Sequence, residues 1–169
     1  MQRMTVAIHE AGHAVACVCL GVDFSYVTCN HDGKCSGHVR LDLAPEYASA
    51  EESKDGAEAR LFWEHYLITT LAGPAAHKKR HPRAHWGTYK WDDLGACSDI
   101  VNDLFADRDV RNAYIKYIEA RAKEFIERHR DDIGAVAREL AEQGTLTDNQ
   151  VRAVMLRRAD TCPPWLTAA

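Results

Sequence analysis

Apolar residues first recur at helical spacing between Gln2 and Leu20, where Val6, Ala7, Ala11, Ala14, Val15 and Val18 share a face and Gly21 supplies the stop. Alternation then takes over. Tyr26-Val27-Thr28-Cys29 and His38-Val39-Arg40-Leu41 read as two strands around a turn at Asp32-Gly33. Residues 42–56 are acidic and polar, with Pro45 and Gly56, and read as a loop. A second apolar helix is predicted from Ala57 to Ala72, ending or bending at Gly73-Pro74. The stretch 77–93 (HKKRHPRAHWGTYKWDD) reads as irregular, and a short helix is expected from Ala96 to Phe105.

The clearest periodicity follows. Val110, Ala113, Tyr114, Tyr117, Ile118, Arg121, Ala122, Phe125 and Ile126 step alternately by three and one, which predicts a core-facing helix. Asp131-Asp132 open another helix, with Ile133, Val136, Ala137 and Leu140 inward and Gly144 as its stop. Thr147-Asp148-Asn149-Gln150 has the form of a capping box and opens a last helix through Arg158, before Cys162-Pro163-Pro164 ends the pattern. Trp63, Tyr66, Tyr114, Tyr117 and Phe125 fall at helical positions and are expected in the core. The fold class is therefore mainly α, with a small β-hairpin or sheet and a C-terminal helical bundle.

Composition narrows the classes. A chain of 169 residues is long enough for one domain with its own core. A net charge of −4 argues against a surface built as a whole for nucleic acid. Lys78, Lys79, Arg80 and Arg83, interleaved with Trp86, Tyr89 and Trp91, could grip a single strand, but a solvated segment explains them and no nucleic-acid partner is expected. The apolar run Ala14–Leu20 is far short of a membrane span and lacks the flanks of a signal peptide. Six cysteines without a CxxC pair read as reduced thiols, and the location is expected to be cytoplasmic.

The chemistry lies in the first helix. His9-Glu10-Ala11-Gly12-His13 is HExxH. Residues four apart on a helix are neighbours, about 5–6 Å between Cβ atoms, so both imidazoles can reach one Zn²⁺. Glu10, following the first of them, is placed to act as the general base of a hydrolase. Chance alone also produces this motif in a chain with nine histidines, so a third ligand is needed. Cys17 lies one turn beyond His13, but three residues along one helix face cannot surround an ion. Cys29, His31, Cys35 and His38 form a second constellation that a hairpin turn explains. His77, His81 and His85 recur every four residues, but Pro82 interrupts the helix that would align them, and they read as solvated loop histidines. Spacing leaves every downstream acid open as the third ligand.

The block Ala7-Ile8-His9-Glu10-Ala11-Gly12-His13-Ala14-Val15 resembles the HEAGHA signature of the FtsH family of metalloproteases. Val27-Thr28 through Gly33 to Gly37 resembles that family's hairpin, and Leu71-Ala72-Gly73-Pro74-Ala75-Ala76 its LGGRAAE segment. Gly95-Ala96-Cys97-Ser98-Asp99-Ile100 is similar to the TGASNDL segment, and Ala137 to Leu146 to the closing helix and turn. The resemblance implies a zincin-like domain over 1–169, with a metal-binding part at 1–105 and a helical part at 106–160. It implies Zn²⁺ held by His9, His13 and Asp99, with Glu10 as catalytic base. Pro74 stands for the family's Arg, His77 for its Glu, Ser98 for the Asn before the ligand, and Asp93-Leu94 for a Thr pair.

The function implied is that of a zinc metalloendopeptidase acting on peptides or unfolded protein segments. Nothing matches the phosphate-binding loop GxxxxGK(S/T), so cleavage is expected to need no ATP in this chain. A homo-oligomer or a separate ATPase partner is compatible with the family. The departures at Pro74, His77 and Ser98 motivate an alternative, an inactive metal-binding regulatory or adaptor protein on a protease scaffold.

Overall fold

The computed structural model describes residues 2–30, 37–42, 56–82 and 89–161. Their elements, in chain order, are α1 (Gln2–Leu20), β1 (Phe24–Thr28), β2 (His38–Leu41), α2 (Ala57–Arg80), α3 (Tyr89–Leu104), α4 (Arg108–Arg128), α5 (Arg130–Gln143), β3 (Thr145–Thr147) and α6 (Asp148–Thr161). The fold is mainly helical with a small antiparallel sheet, as the patterning predicts. None of the helices among these residues is long and apolar enough to cross a membrane.

The first helix has the predicted bounds, and Gly21 ends it at φ 71°, the left-handed conformation that glycine adopts without a Cβ penalty. Its apolar stripe is buried: Val6, Ala7, Ala11, Ala14 and Val15 are all 6% exposed or less. The small residues on this face let α2 come close. A Cβ added to Gly12 would lie 2.8 Å from the carbonyl oxygen of Ala72 and 3.0 Å from the Cβ of Ala76. The helices thus meet backbone to backbone, with no room at Gly12 for any other residue.

β1 is the middle strand of the sheet, in the order β2-β1-β3, pairing antiparallel with both neighbours. Both predicted strands form; the turn at Asp32-Gly33 and most of the acidic loop at 42–56 lie outside the described residues. Gly37, where the chain enters β2, sits against α1: a Cβ there would lie 2.7 Å from Val6 Cγ1 and 2.9 Å from Glu10 Cγ.

Two predictions of extent are corrected. The second helix does not stop at Ala72 but continues through Pro74 to Arg80. Pro74 removes one N–H from the ladder, the helical donor to the carbonyl of Thr70, yet its ring is buried with Leu71, Ala72 and Ala76. Packing against α1 outweighs the lost bond. The third helix begins at Tyr89, seven residues before Ala96, so part of the supposedly irregular stretch is helical at both ends.

The C-terminal helices form as predicted. Asp107 caps α4 by accepting from the N–H groups of Asp109 and Val110. Ile118, Ala122 and Ile126 are buried, whereas Val110 and Tyr117 are 47% and 40% exposed. The expected core stripe therefore turns outward at its N-terminal half, and Tyr117 donates its hydroxyl to Glu64 instead of packing inward. Gly144 ends α5 at φ 84°. Thr147 and Gln150 exchange the reciprocal bonds of the capping box, 2.8 Å from the Thr147 N–H to Gln150 Oε1 and 3.4 Å from the Gln150 N–H to Thr147 Oγ1. A boundary at 105/106 falls between α3 and α4, but α4 packs on α2 and α5 on α1, so the two parts share their cores.

Candidate metal centre

His9 and His13 lie one turn apart on α1, buried at 6% and 8% exposure where this helix meets α2 and α3. Their Nε2 atoms are 3.1 Å apart. Asp93, near the start of α3, brings Oδ2 to 3.1 Å from His9 Nε2 and 3.7 Å from His13 Nε2. These three ligand-capable atoms all lie within 4.8 Å of one another. Two nitrogens bound to a tetrahedral zinc ion at ~2.0–2.1 Å sit roughly 3.3 Å apart. The spacing of the two imidazoles matches that geometry, and two nitrogens plus one carboxylate oxygen is a ligand set zinc accepts while leaving a position open.

The surrounding backbone orients His13. His13 Nδ1–H donates to the carbonyl oxygen of Thr69 on α2 at 2.8 Å, which turns the Nε2 lone pair toward His9 and Asp93. Gly73, one turn further along α2, leaves the space that this ring fills: a Cβ there would lie 2.1 Å from His13 Nε2. The close approach of α1 and α2 and the seat of the imidazole thus have one cause, the small residues facing each other.

Electrostatics follow from burial and mutual attraction. Burial disfavours a charged His13, but the Asp93 carboxylate, its hydrogen bond, Glu10 and the Thr69 carbonyl outweigh it and push the imidazole up to about 9. Burial would raise Asp93, yet the His13 charge and hydrogen bonds from both histidines hold it well below the usual carboxylate range. For His9 burial prevails and lowers its pKa. Without a cation the cluster is therefore a buried ion pair, His13 with Asp93, and a metal ion would replace the proton on His13. Glu10 is 4% exposed, and burial lifts its carboxyl up to about 7, with His13 pulling it down and Asp93 pushing it up. A carboxyl poised near neutrality can both take and return a proton.

The expected ligand Asp99 is not part of this group. Its side chain is exposed on α3, six residues past Asp93, which on a helix means about 9 Å further along the axis and a different face. Asp93 takes the place assigned to Asp99. The sequence contains a signal for it: Asp93-Leu94 has the same Asp-Leu ending as the TGASNDL segment. Reading Gly95 as the start of the segment, and the helix as starting at Ala96, shifts the match by six residues. His9, Glu10 and His13 stand where the motif puts them.

His77 and His81 are also corrected. His77 lies in the last turn of α2 and His81 is its C-cap, with the His77 ring half-buried 6.3 Å from that of His9. His31 and Cys35 of the second constellation, and His85, lie outside the described residues. Cys17, Cys19, Cys29 and Cys97 are free thiols. Neither a scan against models of protein families nor a search of curated proteins gives a match to this chain.

Proposed function

We propose that this chain is a zinc-dependent endopeptidase cleaving peptides or unfolded protein segments without ATP. The observation that supports it most is the convergence of His9 Nε2, His13 Nε2 and Asp93 Oδ2 beside a buried glutamate at the HExxH position. His9, His13 and Asp93 would hold the ion. When bound, zinc lowers the pKa of a water molecule to about 7 and polarises a carbonyl group.

The chain's own residues supply the rest. Glu10 takes a proton from the attacking water and hands it to the departing amine, the work of the buried carboxyl at the HExxH position. The Thr69 carbonyl keeps His13 in one tautomer and one orientation. β2 pairs only with β1 among the described residues, and its entry at Gly37 touches Glu10. An extended peptide added to that outer edge would run past the catalytic carboxyl, held by main-chain bonds that read no particular sequence. Such a site suits chains that are already unfolded.

The experiment is cleavage of a permanently unfolded protein, such as a reduced and alkylated one, by the native chain and by Glu10→Gln. Native turnover, lost on chelation and lost in Glu10→Gln at unchanged zinc content, is the expected result. Equal activity in both proteins would sink the mechanism. Bound zinc with no turnover in either would favour the regulatory protein on a protease scaffold.

A further inference from the structure

His77 and His81, at the C-terminal end of α2, set two imidazoles side by side at the sequence spacing that His9 and His13 have on α1. Both pairs are spaced by four residues; His9 and His13 lie within α1, whereas His77 lies in the last turn of α2 and His81 is its C-cap. The ring centroids are 5.4 Å apart at 87° in the second pair, against 4.8 Å at 75° in the first. The last turn that carries the second pair is closed, since the His81 N–H donates to the His77 carbonyl at 2.9 Å. His81 Nε2 is shielded from solvent and has no hydrogen-bond partner among the described residues. A buried imidazole nitrogen without a partner beside a second imidazole is a donor set that a cation satisfies.

We propose that His77 and His81 form a second site, for a borderline transition-metal ion such as Zn²⁺, Co²⁺ or Ni²⁺, completed by water. It is separate from the first, whose group comprises His9, His13 and Asp93 and does not include His77. Its chemistry is right for such ions, which favour imidazole over carboxylate and carbonyl oxygen alone. The negative end of the α2 dipole lies at this turn and attracts a cation, offsetting Lys78 and Arg80; Lys79 is paired with Glu127 at 2.5 Å. The His77 ring stands edge-on to His9 at 6.3 Å, so two bound dications would be close neighbours and repel each other. The pair, having two protein ligands and not three, fills second and binds more weakly.

The test is titration of the metal-free chain with Co²⁺, read by calorimetry for stoichiometry and by the electronic spectrum for ligand type. The native chain should take up one more ion than His81→Ala, a variant at the C-cap of α2 that leaves the first group intact. That variant should keep the tighter ion, and His9→Ala/His13→Ala should keep the weaker one. Equal stoichiometry in the native chain and His81→Ala would overturn the proposal, as would strong thiolate charge-transfer bands for the second ion. Should His9→Ala/His13→Ala bind as many ions as the native chain, the first centre fails, while the second still stands or falls on His81→Ala. Circular dichroism of each variant checks that helix content is retained.

Discussion

Nε2 of His13 occupies the space where a side chain on Gly73 would begin, with only 2.1 Å between that nitrogen and a Cβ built on the glycine. A buried imidazole on one helix is thereby seated on the bare backbone of the next. The same face of α1 carries Gly12, whose added Cβ would meet the Ala72 carbonyl at 2.8 Å. Helix packing and the seat of His13 are one constraint here, because the close approach that Gly12 permits is what lays the imidazole on Gly73.

Gly73→Ala should therefore remove metal binding and destabilise the fold by roughly 1–3 kcal/mol, the usual cost of overpacking a core. This runs against helix propensity, which favours Ala over Gly by ~1 kcal/mol. Gly134→Ala is the control. Its Cβ would find only Arg138 Nη1, at 3.6 Å, and stability should rise by about 0.5–1 kcal/mol. Thermal unfolding of both variants beside the native chain checks the opposite signs.

The two aspartates of α3 separate the geometric assignment from the one the resemblance implies. Asp93→Asn should lower zinc affinity by at least about 100-fold, since loss of a ligand exceeds the 10–100-fold typical of an outer partner. Asp99→Asn, exposed and outside the group, should leave affinity within about twofold, in the range of surface changes. Competition with a chromophoric chelator reads both. The reverse ranking would restore Asp99 as the ligand.

A pH dependence of stability follows from His13. In the metal-free protein its pKa is raised from 6.5 to about 9, chiefly by Asp93 acting against burial. A raised pKa means stability that is fully present below pH 6.5 and lost as pH climbs through about 9. Zinc demands a neutral imidazole, so its binding expels that proton and strengthens over the same window. Melting temperatures of the metal-free chain should fall between pH 6.5 and 9, while the increment added by zinc grows. In His13→Gln both trends should vanish.

What the sequence reveals here is set by distance along the chain. His9, Glu10 and His13 share one turn of one helix, so spacing alone brings them together, and the apolar stripe around them predicts α1. Asp93 comes from an element eighty residues on, and its approach depends on where α3 starts. Polar and aromatic residues from Tyr89 to Asp93, with Gly95 inside the helix, hide that start. Pro74 misleads in the same manner: local rules end a helix there, whereas burial against α1 carries α2 on to Arg80 and brings His77 into its last turn and His81 to its C-cap. Tyr117 and Val110 fit the core period but are 40% and 47% exposed, in the N-terminal half of α4, whose first buried residue is Ile118.

One ion held by His9, His13 and Asp93 can be read by X-ray absorption at the zinc edge on the chain loaded with one equivalent. The expected spectrum has a first shell of nitrogen and oxygen at ~2.0–2.2 Å with two imidazole signatures, one lighter-atom ligand fewer in Asp93→Asn, and no sulfur. A sulfur shell at ~2.3 Å, or a spectrum unchanged by Asp93→Asn, would contradict it.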